Sequence, residues 1–314
     1  MAVAKVIQKT GFNSCITKLK DSYVLILMTV PLFMMAMVFS YGPLWGWILA
    51  FIDYKPGMSI FACKFIGLSE FARFFGAGSL FLPVLRNTLV LNLLQLFLSP
   101  LPIILALMLT EINSNRFKRT IQTVSSFPNF ISWVIVYSIF FTFLSVEDGF
   151  LNHFLLDLKL IKQPADILAD PHATWFLQTF ASVWKGLGWN AIVYLAAIAG
   201  IDKELYDAAE VDGAGRFKRI LHITIPGILP TFSVCLIINV GNLINTGFDQ
   251  YYVFKNAMVY DWINVIDTYT YALGLQQLDF SYATAVGIFK TLVSVVLLLI
   301  ANSMSKVATG KSII

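Results

Sequence analysis

The side chains in this sequence that carry chemistry are few, and their spacing suits contact more than catalysis. The three histidines, His153, His172 and His222, are widely separated and fall in loops, so none is paired with a nucleophile. No serine stands in a G-x-S-x-G elbow. No G-x-x-x-x-G-K-[ST] run occurs, and Gly213-Ala214-Gly215-Arg216 lacks the lysine and hydroxyl that a phosphate cradle needs. Cys15, Cys63 and Cys235 are far apart, without C-x-x-C spacing or a nearby His pair, so neither a metal site nor a disulfide framework is implied. The chain reads as non-catalytic, with no cofactor of its own.

More telling are the polar groups set in apolar surroundings. Lys185 and Lys290 each interrupt long apolar stretches. A lysine at the centre of a membrane helix costs roughly 2.5–3.5 kcal/mol unless it faces water or protein. Gly186 and Gly188 beside Lys185 could break the helix, and Lys185 reads as cavity-facing. Lys290 either lines a solvated cavity or is paired structurally. Asn242, Asn245 and Asp249 fall at i, i+3 and i+7, which makes one helix face polar, and Asn239 and Thr246 lie in the same stretch. Asn129, Trp133, Trp184, Asn190 and Tyr194 add amides and aromatic rings nearby. Amides that hydrogen-bond hydroxyls, with rings that stack on C–H faces, suit a sugar path. The same mixture suits interhelical packing.

The elements that position these groups follow from composition. The 314 residues are 58% hydrophobic and 13% charged, against about 45–50% and about 25% in soluble domains. Such a balance points to lipid as solvent. Six stretches have the roughly 20 apolar residues that a bilayer core requires: 23–42, 87–110, 127–145, 175–200, 228–248 and 283–303. The expected fold is therefore all-α, a polytopic six-helix membrane bundle. The basic residues are sorted by loop, thirteen on one side against seven on the other, which places both termini in the cytoplasm. They are a topology signal and not a nucleic-acid footprint. The segment 41–85 is rich in aromatics, and part of it is expected to lie along the membrane surface.

The most patterned stretch is the cytoplasmic loop 202–226. Asp202 is placed to cap a helix, Glu204 to sit in its first turn, and Gly213 to end it with a left-handed backbone. A short helix in water is not stable by propensity alone, so it must pack on its own bundle or on a partner.

The run from Tyr206-Asp207-Ala208-Ala209-Glu210-Val211-Asp212-Gly213 to Ile225-Pro226 and Leu229-Pro230 resembles the EAA loop of type I ABC importer permeases. Asp207 stands where that family has Glu, and Ile225 where it has Leu. Phe65-Ile66-Gly67-Leu68, Arg86-Asn87-Thr88-Leu89 and the stretch from Trp184 to Ala197 are similar to the maltose-type sugar subfamily. Tyr41-Gly42-Pro43-Leu44-Trp45-Gly46 resembles its polysaccharide and oligosaccharide branch. The resemblance implies that Tyr206, Asp207, Ala208, Ala209, Glu210, Asp212 and Gly213 seat in a cleft of a cytosolic ATPase. It implies as partners a second homologous permease in a heterodimer, two ATPase copies that hold the ATP and Mg, and an extracellular solute-binding protein. The setting would be a bacterial inner membrane. It also divides the chain into a cytoplasmic segment 1–22, a first helix with an aromatic extracellular segment 23–85, a permease core 86–304 and a tail 305–314.

Two other readings compete. An ion-coupled secondary transporter of a small polar solute would keep acids at membrane depth, and the six stretches hold no Asp or Glu away from their edges. A membrane-embedded enzyme or scaffold is the other.

Overall fold

The computed structural model describes residues 23–309. The expected cytoplasmic segment 1–22 and the last residues of the tail, 310–314, lie outside the described residues. Backbone polar groups in a bilayer must bond within their own segment, and the described residues are accordingly mostly helical. The extended pairing among them is one bridge between Ile52 and Phe65.

Among the described residues, four helices are long and apolar enough to cross a membrane: Tyr23–Phe51, Phe81–Thr110, Arg216–Gly241 and Phe280–Ser303. A fifth is added if Asn115–Phe130 and Trp133–Leu144, bent by 105°, form one span. The helix Pro171–Ala199 has the length, at 29 residues, but buries Thr174, Gln178 and Thr179 in its first half. The six spans expected from the sequence thus become four or five by length and apolar content.

Three boundaries also move. The stretch expected at 127–145 is broken because Phe127–Phe130 tightens into a 3-10 turn and Ser132 caps a fresh helix, its hydroxyl accepting from Ile135 N. The stretch expected at 228–248 starts earlier, at Arg216, and stops at Gly241. The first span runs on from Tyr23–Ala36 through the π turn Met37–Tyr41 into the 3-10 helix Gly42–Phe51. That continuation packs against the last helix, Phe280–Thr309.

Further along the same segment, Phe74 and Phe81 are buried in the core, their rings stacked 4.3 Å apart. Arg73 pins this region to the last helix. Its guanidinium meets Glu70 at 2.5 Å and Asp279 at 3.0 Å, and lies 4.1 Å from the Tyr282 ring centre. Burial alone would lower the Arg73 pKa, but the two carboxylates outweigh it and hold it raised.

Helix Pro171–Ala199 is the central post, packing on Phe81–Phe97, Leu101–Thr110, Asn115–Ser126 and Ile225–Gly241. One close approach depends on a glycine. A Cβ on Gly188 would come within 2.2 Å of the Ser125 carbonyl carbon, so only a hydrogen lets the two backbones meet. Gly186 and Gly188 therefore do not interrupt the helix, as the sequence suggested. They sit inside an unbroken one.

Candidate functional site

Helices Phe81–Phe97, Pro171–Ala199 and Ile225–Gly241 each turn polar side chains toward one another, and between them lies a cleft of about 350 Å³. Amides and hydroxyls share its lining with aliphatic side chains: Asn92, Gln95, Ser182, Asn190, Tyr194, Asn239, Asn242 and Asn245. An apolar bundle that gathers these groups round open space turns them inward, where they meet one another and the cleft. Several are already oriented by one another. Ser182 Oγ donates to Gln95 Oε1 at 3.2 Å, and Gln95 Nε2 donates to the buried Tyr251 hydroxyl at 3.3 Å. Asn92 Nδ2 donates to Leu243 O at 2.8 Å, holding the chain just past the end of helix Ile225–Gly241.

Of the pathway residues read from the sequence, Asn190, Tyr194, Asn242 and Asn245 meet in this cleft. Asn129, Trp133, Trp184, Lys185 and Asp249 do not line it. Lys185 reaches the Phe127–Phe130 turn instead. Its Nζ donates to Pro128 O at 3.2 Å and Asn129 O at 2.8 Å, and lies 5.4 Å from the Trp133 ring centre. Those carbonyls, turned out at the helix break, accept hydrogen bonds from the ammonium, Pro128 O in addition to the one it accepts from Ile131 N. Trp184 packs edge-on against Phe140. Asp249 is exposed at the head of a separate short helix, Asp249–Phe254. The expected single face of Asn242, Asn245 and Asp249 is therefore corrected. The helix ends at Gly241, and Gly247 takes a φ of 86° before the next one begins.

Sequence reasoning missed Asn92, Gln95 and Ser99 from the same cleft. The signal was present, since they fall at i, i+3 and i+7 within the second apolar stretch. It missed Asp267 as well, for a different reason. Asp267 lies outside every apolar stretch, on helix Ile266–Tyr271, yet it forms an ion pair with Lys290. Its other oxygen accepts from Gly247 N at 3.1 Å. The pair sits in a second, shallower cleft with Trp47, Tyr271, Thr291 and Ser294. Asn245 lines both clefts, its amide donating to Ser294 Oγ at 3.3 Å. The apolar stretches still hold no internal acid of their own, and folding brings this one against a span from outside them.

Arg86, Asn87 and Thr88 fasten the segment that carries Asp267. Asn87 Nδ2 donates to Asp261 O at 2.9 Å and Asn264 O at 3.0 Å, and Ile266 N donates to Thr88 Oγ1 at 3.0 Å. The Arg86 guanidinium lies 4.9 Å from the Trp262 ring centre.

The loop element forms as its residues dictate. Helix Lys203–Val211 is capped by Asp202, whose carboxylate accepts from Glu204 N at 3.0 Å. At the other end Gly213 has a φ of 72°. Ala214 N donates to Ala209 O at 2.8 Å and Gly213 N to Glu210 O at 3.0 Å, the paired closure of a Schellman end. No residue of this helix is buried. Tyr206 and Thr224 share a 2.9 Å hydroxyl contact, and Arg219 pairs with Glu210 at 3.0 Å. Val211 is 89% exposed.

A helical bundle with a polar cleft between its membrane-crossing helices, and a capped helix standing off one end, defines a membrane transport protein. The chain belongs to the family of binding-protein-dependent transport system inner membrane components, matched over residues 98–308, and is a non-catalytic permease subunit of an ABC importer. It is 40% identical over 296 residues to the protein LplB of Bacillus subtilis (strain 168), covering 93% of this chain and 92% of LplB. It is 38% identical over 306 residues to YteP of the same organism, a polygalacturonan/rhamnogalacturonan transport system permease, covering 96% of this chain and 94% of YteP. Among solved structures, it is similar to a chain of the bacterial alginate ABC transporter in complex with alginate pentasaccharide-bound periplasmic protein. That match has a TM-score of 0.86 at 36% identity and covers 95% of this chain and 99% of that one.

Proposed function

We propose that this chain forms half of a translocation path for an oligosaccharide and takes its energy from a cytosolic ATPase seated on helix Lys203–Val211. The observation that carries the reading is the state of that helix, which buries no residue of its own against the bundle. A nine-residue helix does not persist in water unaided, and Tyr206 and Glu210 tether it without covering it. Asp207 and Ala208 are exposed and Ala209 half-buried, so the small side chains leave room for close approach and Asp207 is free to meet a basic group.

The substrate class is supported by the amide- and hydroxyl-lined cleft and by the polysaccharide named in YteP. A second permease, two ATPases holding ATP and Mg, and a solute-binding protein complete the proposed assembly. The inner-membrane placement with both termini in the cytoplasm, and the division at 1–22, 23–85, 86–304 and 305–314, belong to the same reading.

The test is purification of the assembled transporter with Asp207→Lys and Ala209→Trp together. ATPase copies should be lost from the complex and substrate-stimulated ATP hydrolysis abolished, while the permease stays folded by size-exclusion chromatography. Uptake and stimulation unchanged by both substitutions would overturn the docking role.

A further inference from the structure

Two glycines stand inside helices where no neighbour in the chain requires them. A Cβ on Gly46, in the 3-10 continuation of the first span, or on Gly287, in the last helix, would meet nothing within 4 Å among the described residues. Glycine inside a helix costs stability relative to alanine. At Gly188 the close approach of two backbones explains that cost. Gly46 and Gly287 instead border the second cleft, which holds the Lys290–Asp267 pair. Their missing side chains keep that cleft open.

The groups round this space retain hydrogen-bonding capacity. Lys290 has three N–H donors, and among the described residues its partner is Asp267. The two Asp267 oxygens each accept one hydrogen bond, from Lys290 and from Gly247 N, and each keeps a further lone pair. Trp47 and Tyr271 bring aromatic rings to the same space. An ion pair turned toward lipid is costly at membrane depth, so the opening has to face water or protein. Asn245 joins this cleft to the first one, its Nδ2 donating to Asn242 Oδ1 and to Ser294 Oγ, both at 3.3 Å.

Charge decides what fits. Lys290 and Asp267 are the only residues with a full charge among those lining either cleft, and they cancel. A carboxylate brought here would meet a lysine already neutralised and an aspartate that repels it.

We propose that the second cleft is a further sugar subsite and takes an uncharged pyranose ring. The Lys290 ammonium donates to one of two neighbouring ring hydroxyls, and the Asp267 carboxylate accepts from the other, both as charge-assisted hydrogen bonds. The aromatic rings cover the apolar C–H face of the sugar. Past Asn245 the next ring of the chain reaches the amides of the first cleft. This subsite presupposes the oligosaccharide path proposed above and narrows its substrate to chains that carry an uncharged ring.

The probes are pentagalacturonate and its methyl ester, which share their ring hydroxyls and differ in charge. Cys15, Cys63 and Cys235 are changed to serine, Thr291→Cys is introduced, and labelling of this chain by a small maleimide is followed in the assembled transporter. The ester should slow labelling. The acid should need about a tenfold higher concentration for the same protection, the factor that one hydrogen bond to a charged group supplies. Gly287→Leu in this background should make the labelling rate indifferent to the ester, whereas Gly287→Ala should leave the protection in place. Protection by the acid at equal or lower concentration overturns the assignment to a neutral ring. A cysteine that cannot be labelled at all, or a Gly287→Leu variant that loses the second permease, shows the cleft filled by protein and also overturns it. Cys235, labelled in the same way in protein that keeps it, reports on the first cleft. Protection at Cys235 without protection at Thr291→Cys refutes the second subsite and spares the oligosaccharide path, and protection at neither position by either probe removes both.

Discussion

Changing Asp267 to Asn would leave Lys290 as a cation without its partner inside the bundle. In the native protein the two form an ion pair whose side chains are 20% and 21% exposed, and Asp267 also accepts from Gly247 N. Removing one member of a fully buried pair costs about 3–5 kcal/mol, because the other charge is stranded. Partial exposure lets water reach the ammonium, and the asparagine still accepts a weaker hydrogen bond. Both effects bring the expected loss for Asp267→Asn down to about 2 kcal/mol. Lys290→Met should cost less, since the stranded carboxylate keeps the Gly247 N–H. Asp267→Asn combined with Lys290→Met should recover about 1 kcal/mol relative to the sum of the singles, the coupling expected of residues in contact. Thermal unfolding in detergent, followed by loss of the monodisperse peak, gives all four corners of the cycle. If the singles add without coupling, the ion pair does not hold helix Ile266–Tyr271 to the last helix, and the argument for its structural role fails.

Two further outcomes follow from the packing. Gly188→Ala would push a methyl group to 2.2 Å from the Ser125 carbonyl carbon, so it should destabilise by at least about 2 kcal/mol and lower the yield of folded protein. Gly186→Ala meets only the flexible end of Asn190 at 3.2 Å and should fold normally. Cys235 lines the polar cleft with Asn190 and Tyr194, so with Cys15 and Cys63 replaced by serine it should react with a small maleimide. Bound substrate or Asn190→Trp should slow that labelling several-fold, and a rate that neither changes would place Cys235 outside the solute path.

Local pattern made much of this protein legible before folding. Apolar runs of bilayer length announced the helices, because a backbone in lipid has almost no other option. The loop helix was readable to the residue at both ends, since Asp202 and Gly213 act on their own neighbours and need no tertiary contact. What the tertiary structure decided concerns partners distant in sequence. A cleft is made of faces, and only the packing of three helices joined Asn190 and Tyr194 to Asn242 and Asn245 while leaving Asn129, Trp133, Trp184, Lys185 and Asp249 elsewhere. Lys185 looked like a cavity lysine because an unpartnered cation in an apolar stretch is costly, but the helix break at Phe127–Phe130 supplied carbonyls that no spacing rule foretells. Lys290 found its carboxylate on a helix reached through a turn and a loop, 23 residues earlier in the chain. Hydrophobic periodicity reports what each segment shows to its surroundings. Which segments become those surroundings is settled only when the chain folds.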